Sequence, residues 1–163
     1  VETYAGKTLK PEDYQDLPIN TEDYATILLH FDNGNKGTVT VSQINAGRKN
    51  RLTLEVAGSK GSFNWCSESP NELWIGHRDG TNEMLIRDPA SLLPEASAIA
   101  SFPGGHNEGF PDTSKQMFKE FYAEVRSGRS ATPPYPTFLD GYRELLLCDK
   151  IIESARDEKW VTV

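Results

Sequence analysis

Residues 23–44 read DYATILLHFDNGNKGTVTVSQI, and this stretch decides the fold class. Its first half alternates. Ala25, Ile27, Leu29 and Phe31 fall on one side, and Tyr24, Thr26, Leu28 and His30 on the other. A two-residue period is that of a strand with one covered face. DNGNKG follows, and its Asn-Gly pair tolerates the positive φ of a tight turn. TVTVSQI then returns as a second strand. The segment is a β-hairpin, so the chain opens its regular structure with antiparallel pairing.

Downstream the pattern repeats. RLTLEVAG, SFNWC, ELWIG and NEMLIR read as four more strands, separated by GSKG, SESPN and HRDGT. Short connections favour sequential antiparallel neighbours. Residues 88–109 read as loop with a possible helical turn in ASLLPEASAIA. The period then changes. Met117, Phe118, Phe121, Tyr122 and Val125 lie on one side of an expected helix over Pro111–Arg126, with Gly128 as its stop. SATPPYPT reads as an extended linker. Thr137 and Asp140 have the spacing of a capping box for a second helix, FLDGYRELLLCDKIIESAR. Its apolar residues surround most of its girth, which predicts a largely buried helix. KWVTV closes as a short strand. Upstream, residues 1–22 are polar, broken by Pro11 and Pro18, and read as a connector leading into a domain over 23–163. Strands followed by helices predict an α+β fold, with an open, mostly antiparallel sheet covered by helices on one face. The other face would carry Thr38, Thr40, Ser42, Arg51, Thr53 and Glu55.

The chain has 163 residues, enough for one ordinary domain. Lys plus Arg total 17 against 24 Asp plus Glu, a formal charge of −7. Nucleic acid and anionic membrane surfaces are poor partners for such a balance. No apolar run approaches the roughly 20 residues of a membrane span. No signal peptide opens the chain, and a cytoplasmic location is expected. Cys66 and Cys148 lack a CxxC spacing and read as core thiols, although one bridge between them is compatible with the sequence.

Two loops carry candidate chemistry. The first is SFPGGHNEGFPDT, residues 101–113. Its G-x-x-x-x-G is followed by Phe110 and Pro111, not the Lys and Ser/Thr of a phosphate-binding loop. No G-x-G-x-x-G occurs, so a dinucleotide fingerprint is lacking. With His30 and His77 on other elements, a metal site has too few ligands. His106 remains as a general acid/base or hydrogen-bonding group, or simply a loop histidine on backbone. Pro111 and Asp112 can set the helix start, whose N–H groups favour electronegative ligands. The second loop is NAGRKNR, residues 45–51, which places Arg48, Lys49 and Arg51 beside two amides. It suits hydroxyls, carboxylate or phosphate, or is a solvated turn.

Several stretches in series resemble the C-terminal domain of the Gfo/Idh/MocA family of nicotinamide-dependent oxidoreductases. EDYATILLHFDNGNKGTVTVSQI is similar to its first sheet hairpin. AGRKNRLTLEVAGSKGSFNW and SPNELWIG resemble the next strands of a sugar-dehydrogenase-like branch. PGGHNEGFPDTSKQMFKEFY resembles the loop and helix after the sheet, and YPTFLDGYRELLLCDKIIESARDEKWVTV the final helix and strand. The resemblance implies a parent in which an N-terminal Rossmann domain binds NAD(P) and this domain helps close a site for a sugar or polyol. It also implies homo-oligomerisation through the open sheet face. The family's Glu-Lys-Pro motif and its helix with Asp and His are not found here. With no Met at residue 1, the expectation is a C-terminal piece, inactive alone and without a cofactor of its own. The resemblance places His106 at the substrate cleft, with Asn107 and Glu108 beside it. Arg48 and Lys49 reach substrate or sit at a subunit contact. The competing expectation is a non-catalytic association or ligand-binding module on the same fold. A third keeps the family fold and uses NAD transiently, for glycoside cleavage or epimerisation.

Overall fold

The structure is a computed structural model that describes residues 10, 12, 15–128 and 132–163. The chain divides into two compact units, one ending at Gly47 and one spanning Arg48–Val163. Most of the expected connector 1–22 lies outside the described residues, and 15–22 form neither helix nor strand.

The first unit holds the hairpin read from the sequence. Strand β1 (Tyr24–His30) pairs antiparallel with β2 (Lys36–Ser42), with Ile27 opposite Val39 and Thr26 opposite Thr40. The turn closes as Asn-Gly chemistry requires. Gly34 takes φ 84° and donates its N–H to Phe31 O at 2.8 Å, while Phe31 N–H donates to Asn35 O at 3.0 Å. The register puts Ala25, Ile27 and Leu29 on one face with Val39 and Val41. Thr26, Leu28 and His30 share the opposite face with Lys36, Thr38 and Thr40.

The second unit builds a four-stranded antiparallel sheet in sequential order. Its strands are β3 (Thr53–Ala57), β4 (Gly61–Cys66), β5 (Glu72–His77) and β6 (Glu83–Ile86). Pairing of Leu54 with Trp65, Trp65 with Leu73 and Leu73 with Leu85 makes one apolar row. On the other face Glu55, Asn64, Trp74 and Met84 align, and Asn64 Nδ2 donates to the Glu55 carboxylate at 3.3 Å.

Three helices follow: α1 (Pro94–Ser97), α2 (Phe110–Ser127) and α3 (Phe138–Asp157). Helix α2 lies between N-cap Gly109 and C-cap Gly128, and its bounds Phe110 and Ser127 each fall one residue outside the expected Pro111–Arg126. The linker lies partly outside the described residues. Its Tyr135 returns along α2, stacking edge-on against Phe121 at 5.5 Å and donating its hydroxyl to Glu124. Helix α3 opens with the expected capping box. Asp140 N–H donates to Thr137 Oγ1 at 3.4 Å, and Thr137 N–H donates to the Asp140 carboxylate at 2.8 Å. The architecture is α+β, as expected.

Three expectations are corrected. Helix α3 is not largely buried: Leu145 is 69% exposed and Ile152 52%. Its apolar girth exceeds the surface that the described elements lay against it. Residues 160–163 form no strand. The chain instead wraps the end of α3 through Glu158 at φ 51°, with Ser154 Oγ donating to Lys159 O at 2.6 Å. The cysteines are free rather than bridged or core thiols, Cys66 half-buried and Cys148 exposed.

Candidate functional site

The β4–β5 turn, residues 67–71, organises one end of the sheet. Thr53 pairs with Cys66 and Glu72 with Ile86, so the start of β3 and the end of β6 reach the same end. Both loops singled out in the sequence are tied to this turn. Glu68, near its start, receives Arg48 at 3.5 Å and Arg51 at 3.4 Å. Asn71, at its end, holds the His106 loop. Asn71 Nδ2 donates to Glu108 O at 3.0 Å, and Asn71 Oδ1 accepts Glu108 N–H at 3.2 Å.

Arg87, the residue after β6, completes the hold. Its Nε donates to Asn71 Oδ1 at 2.7 Å and its Nη1 to Phe102 O at 2.9 Å. Its Nη2 donates to Pro103 O at 3.4 Å and to His106 O. Nη1 also pairs with the Glu108 carboxylate at 2.8 Å, and the two side chains are only 14% and 10% exposed. The second Glu108 oxygen accepts Ser101 N–H at 2.7 Å. Helix α2 secures the loop's entry: Gln116 Nε2 donates to Ile99 O at 2.6 Å and to Ser101 Oγ at 3.1 Å. Lys115 Nζ lies 5.1 Å from the centre of the Phe102 ring, a cation–π contact.

The loop therefore has an anchored interior and a free tip. Gly105 takes φ 81°, a conformation that disfavours side chains, and turns the chain at His106. His106 and Asn107 are exposed. His106 Nδ1 lies 3.4 Å from Gly104 O, and a proton on Nδ1 there makes Nε2 an acceptor. Imidazole and carboxamide groups donate and accept together, which suits hydroxyl-rich ligands. The carboxylate of Glu108, by contrast, is engaged on both oxygens, by Ser101 within the loop and by Arg87.

The start of α2 is not an open anion site. Asp112 accepts the Gly109 N–H at 2.9 Å, filling with its own charge the place a ligand anion would take. Lys115 foremost, and then that Gly109 N–H, hold the Asp112 carboxyl below its usual range. A dinucleotide pyrophosphate placed at this helix start would meet the Asp112 carboxylate. Among the described residues no three His, Cys, Asp or Glu side chains converge as a metal site. His77 pairs instead with Glu83 at 2.7 Å, at the opposite end of the sheet. That end carries an open polar groove of about 420 Å³ lined by Lys60, His77, Arg78, Asp79 and Glu83.

In the second loop, Arg51 Nε approaches Cys66 Sγ at 3.4 Å. This hydrogen bond foremost, and then the Glu68 backbone N–H, hold the Cys66 thiol below its ordinary range. Lys49 contributes its carbonyl to Arg51 N–H at 2.9 Å. No helix among the described residues is long and apolar enough to cross a membrane.

The sequence reading missed Arg87 and Asn71. Arg87 only ended a strand and Asn71 only a turn, and no local spacing links either to residues 101–108.

Comparison with known proteins agrees with this architecture. The family model for the C-terminal alpha/beta domain of the Gfo/Idh/MocA oxidoreductases matches residues 1–163. Levoglucosan dehydrogenase of Pseudarthrobacter phenanthrenivorans is 28% identical over 151 residues, 90% of this chain and 37% of that protein. An oxidoreductase from Sinorhizobium meliloti superposes with a TM-score of 0.81 at 28% identity, covering 88% of this chain and 42% of that one. An inositol dehydrogenase homologue from Azotobacter vinelandii, in complex with NADH and myo-inositol, superposes with a TM-score of 0.79 at 26% identity, covering 87% and 39%. The chain thus spans about two fifths of the length of these relatives. A β-hairpin, a sequential four-stranded sheet and two long helices, matched from end to end by one family model, place the chain in the Gfo/Idh/MocA oxidoreductase family as its C-terminal alpha/beta domain.

Proposed function

We propose that this chain is the substrate-side domain of an NAD(P)-dependent oxidoreductase acting on a sugar or polyol. The observation that carries the reading is the anchoring of both candidate loops on one five-residue turn, with His106 exposed at the tip. Relatives of similar fold include a levoglucosan dehydrogenase and an inositol dehydrogenase homologue bound to NADH and myo-inositol. Both names specify polyhydroxylated ligands.

NAD(P), held by another part of the full protein, would supply the hydride acceptor. The residues of this chain bind and orient. His106 and Asn107 hydrogen-bond substrate hydroxyls, and Arg48 and Lys49 add donors from the other side of the turn. Glu108 serves by shaping the loop. Domain 23–163 alone does not turn over substrate, because it brings orientation without a hydride acceptor.

On the face that carries Glu55, Asn64 and Trp74, the side chains of Met84 and Ile86 are each 53% exposed, which supports self-association through the open sheet face. The test of function is NAD(P)H formation by the full-length protein across a panel of sugars and polyols. Turnover of at least one supports the reading. A full-length protein that binds such ligands without turnover would favour the non-catalytic module.

A further inference from the structure

Arg87 touches His106 through the His106 backbone carbonyl alone, and its guanidinium makes an unusually wide set of contacts. Its fork reaches Asn71, three backbone carbonyls of residues 102–106, and the Glu108 carboxylate. A lysine has three donors on a point charge and cannot match this planar set. The carbonyls it gathers belong to Phe102, Pro103 and His106, the two arms of the turn that presents His106. Without Arg87 those arms keep the His106 N–H to Pro103 O bond at 3.3 Å and the Ser101 N–H to Glu108 bond, but the near-buried Glu108 carboxylate loses the cation it pairs with among the described residues. A loop whose carbonyls are gathered by one guanidinium, with the His106 and Asn107 side chains exposed, is preorganised for binding at its tip.

We propose that Arg87 is the positioning residue of the substrate site. It sets the loop 101–109 in its binding-competent shape, with Asn71 and Glu108 as its two supports, and so fixes substrate affinity through His106. This rests on the reading that His106 contacts the sugar or polyol. Its effect falls on substrate affinity and not on the cofactor, because every Arg87 side-chain contact lies within the loop and its supporting turn.

The test uses the full-length protein as wild type, R87K, H106A and the double variant R87K/H106A. Two quantities are read: amide hydrogen exchange across residues 101–109, and the KM and kcat for the sugar or polyol alongside the KM for NAD(P). R87K is expected to speed loop exchange by about tenfold or more and to raise substrate KM by about tenfold, as loss of charged hydrogen bonds does. The KM for NAD(P) stays unchanged. The double variant is expected to bind substrate no worse than H106A alone, because both changes act through one group. Wild-type exchange in R87K overturns the clamp. Losses that multiply in the double variant overturn the route through His106. H106A with wild-type KM, while R87K still speeds exchange, overturns the substrate role of His106 and with it that route, but leaves the clamp visible in the exchange data. If R87K fails to accumulate, E108Q removes the paired charge at constant shape and carries the same readouts.

Discussion

Asn71 pairs with both backbone groups of Glu108, accepting its N–H and donating to its C=O, although 37 residues separate them. This is the pairing a neighbouring strand would make, delivered by one side chain. It fastens an irregular loop to the sheet where no ladder continues, and it satisfies two backbone groups that would otherwise be stranded in a half-buried place.

Asn71→Ala therefore removes more than one contact. Glu108 loses both backbone partners, and Arg87 Nε loses its acceptor. The expected cost is about 1–3 kcal/mol, the usual penalty for leaving such groups unsatisfied. Chemical denaturation of the variant against wild type reads it directly.

The capping box of α3 makes stability depend on pH. The Thr137 hydroxyl foremost, and then its N–H, hold the Asp140 carboxyl below its usual range. A carboxyl depressed in the folded state contributes stability fully above its unfolded pKa of about 3.9 and loses it as pH falls through the folded value. Helix melting followed from about pH 6 down to about pH 2 should show a smaller loss in Asp140→Asn than in wild type, the remainder coming from Asp112, Glu153 and Asp157, which are also held below their usual range. Thr137→Ala removes the cap itself, at an expected cost of about 1 kcal/mol.

The Cys66 thiol should react faster than an isolated one near neutral pH, because Arg51 stabilises its thiolate. Arg51→Met removes that hydrogen bond, raises the thiol pKa and slows alkylation several-fold. The comparison is made in a Cys148→Ser background, with the alkylation rate followed against pH. An unchanged profile would show that the 3.4 Å contact does not act on the thiol.

Much of this fold was legible because its signals are local. Alternation at Ala25, Ile27 and Leu29 fixed both faces of the first hairpin. Asn33-Gly34 marked its turn, and Thr137 with Asp140 marked the start of α3. The end of the chain was misread because a strand needs a partner edge, which KWVTV cannot reveal. Helix α3 was misread because girth measures only the apolar surface a helix offers, while burial depends on what lies against it. His106 stood out through its Gly-rich setting. Arg87 did not, since its importance comes from carbonyls 15 to 19 residues away and from Asn71, 16 residues before it.

The measurement that bears most directly on the account is substrate kinetics of His106→Ala in the full-length protein. With a sugar or polyol that the wild type oxidises, kcat/KM is expected to fall by about tenfold to a hundredfold, with the KM for NAD(P) unchanged. Wild-type kcat/KM in the variant would contradict a substrate contact at the tip of this loop.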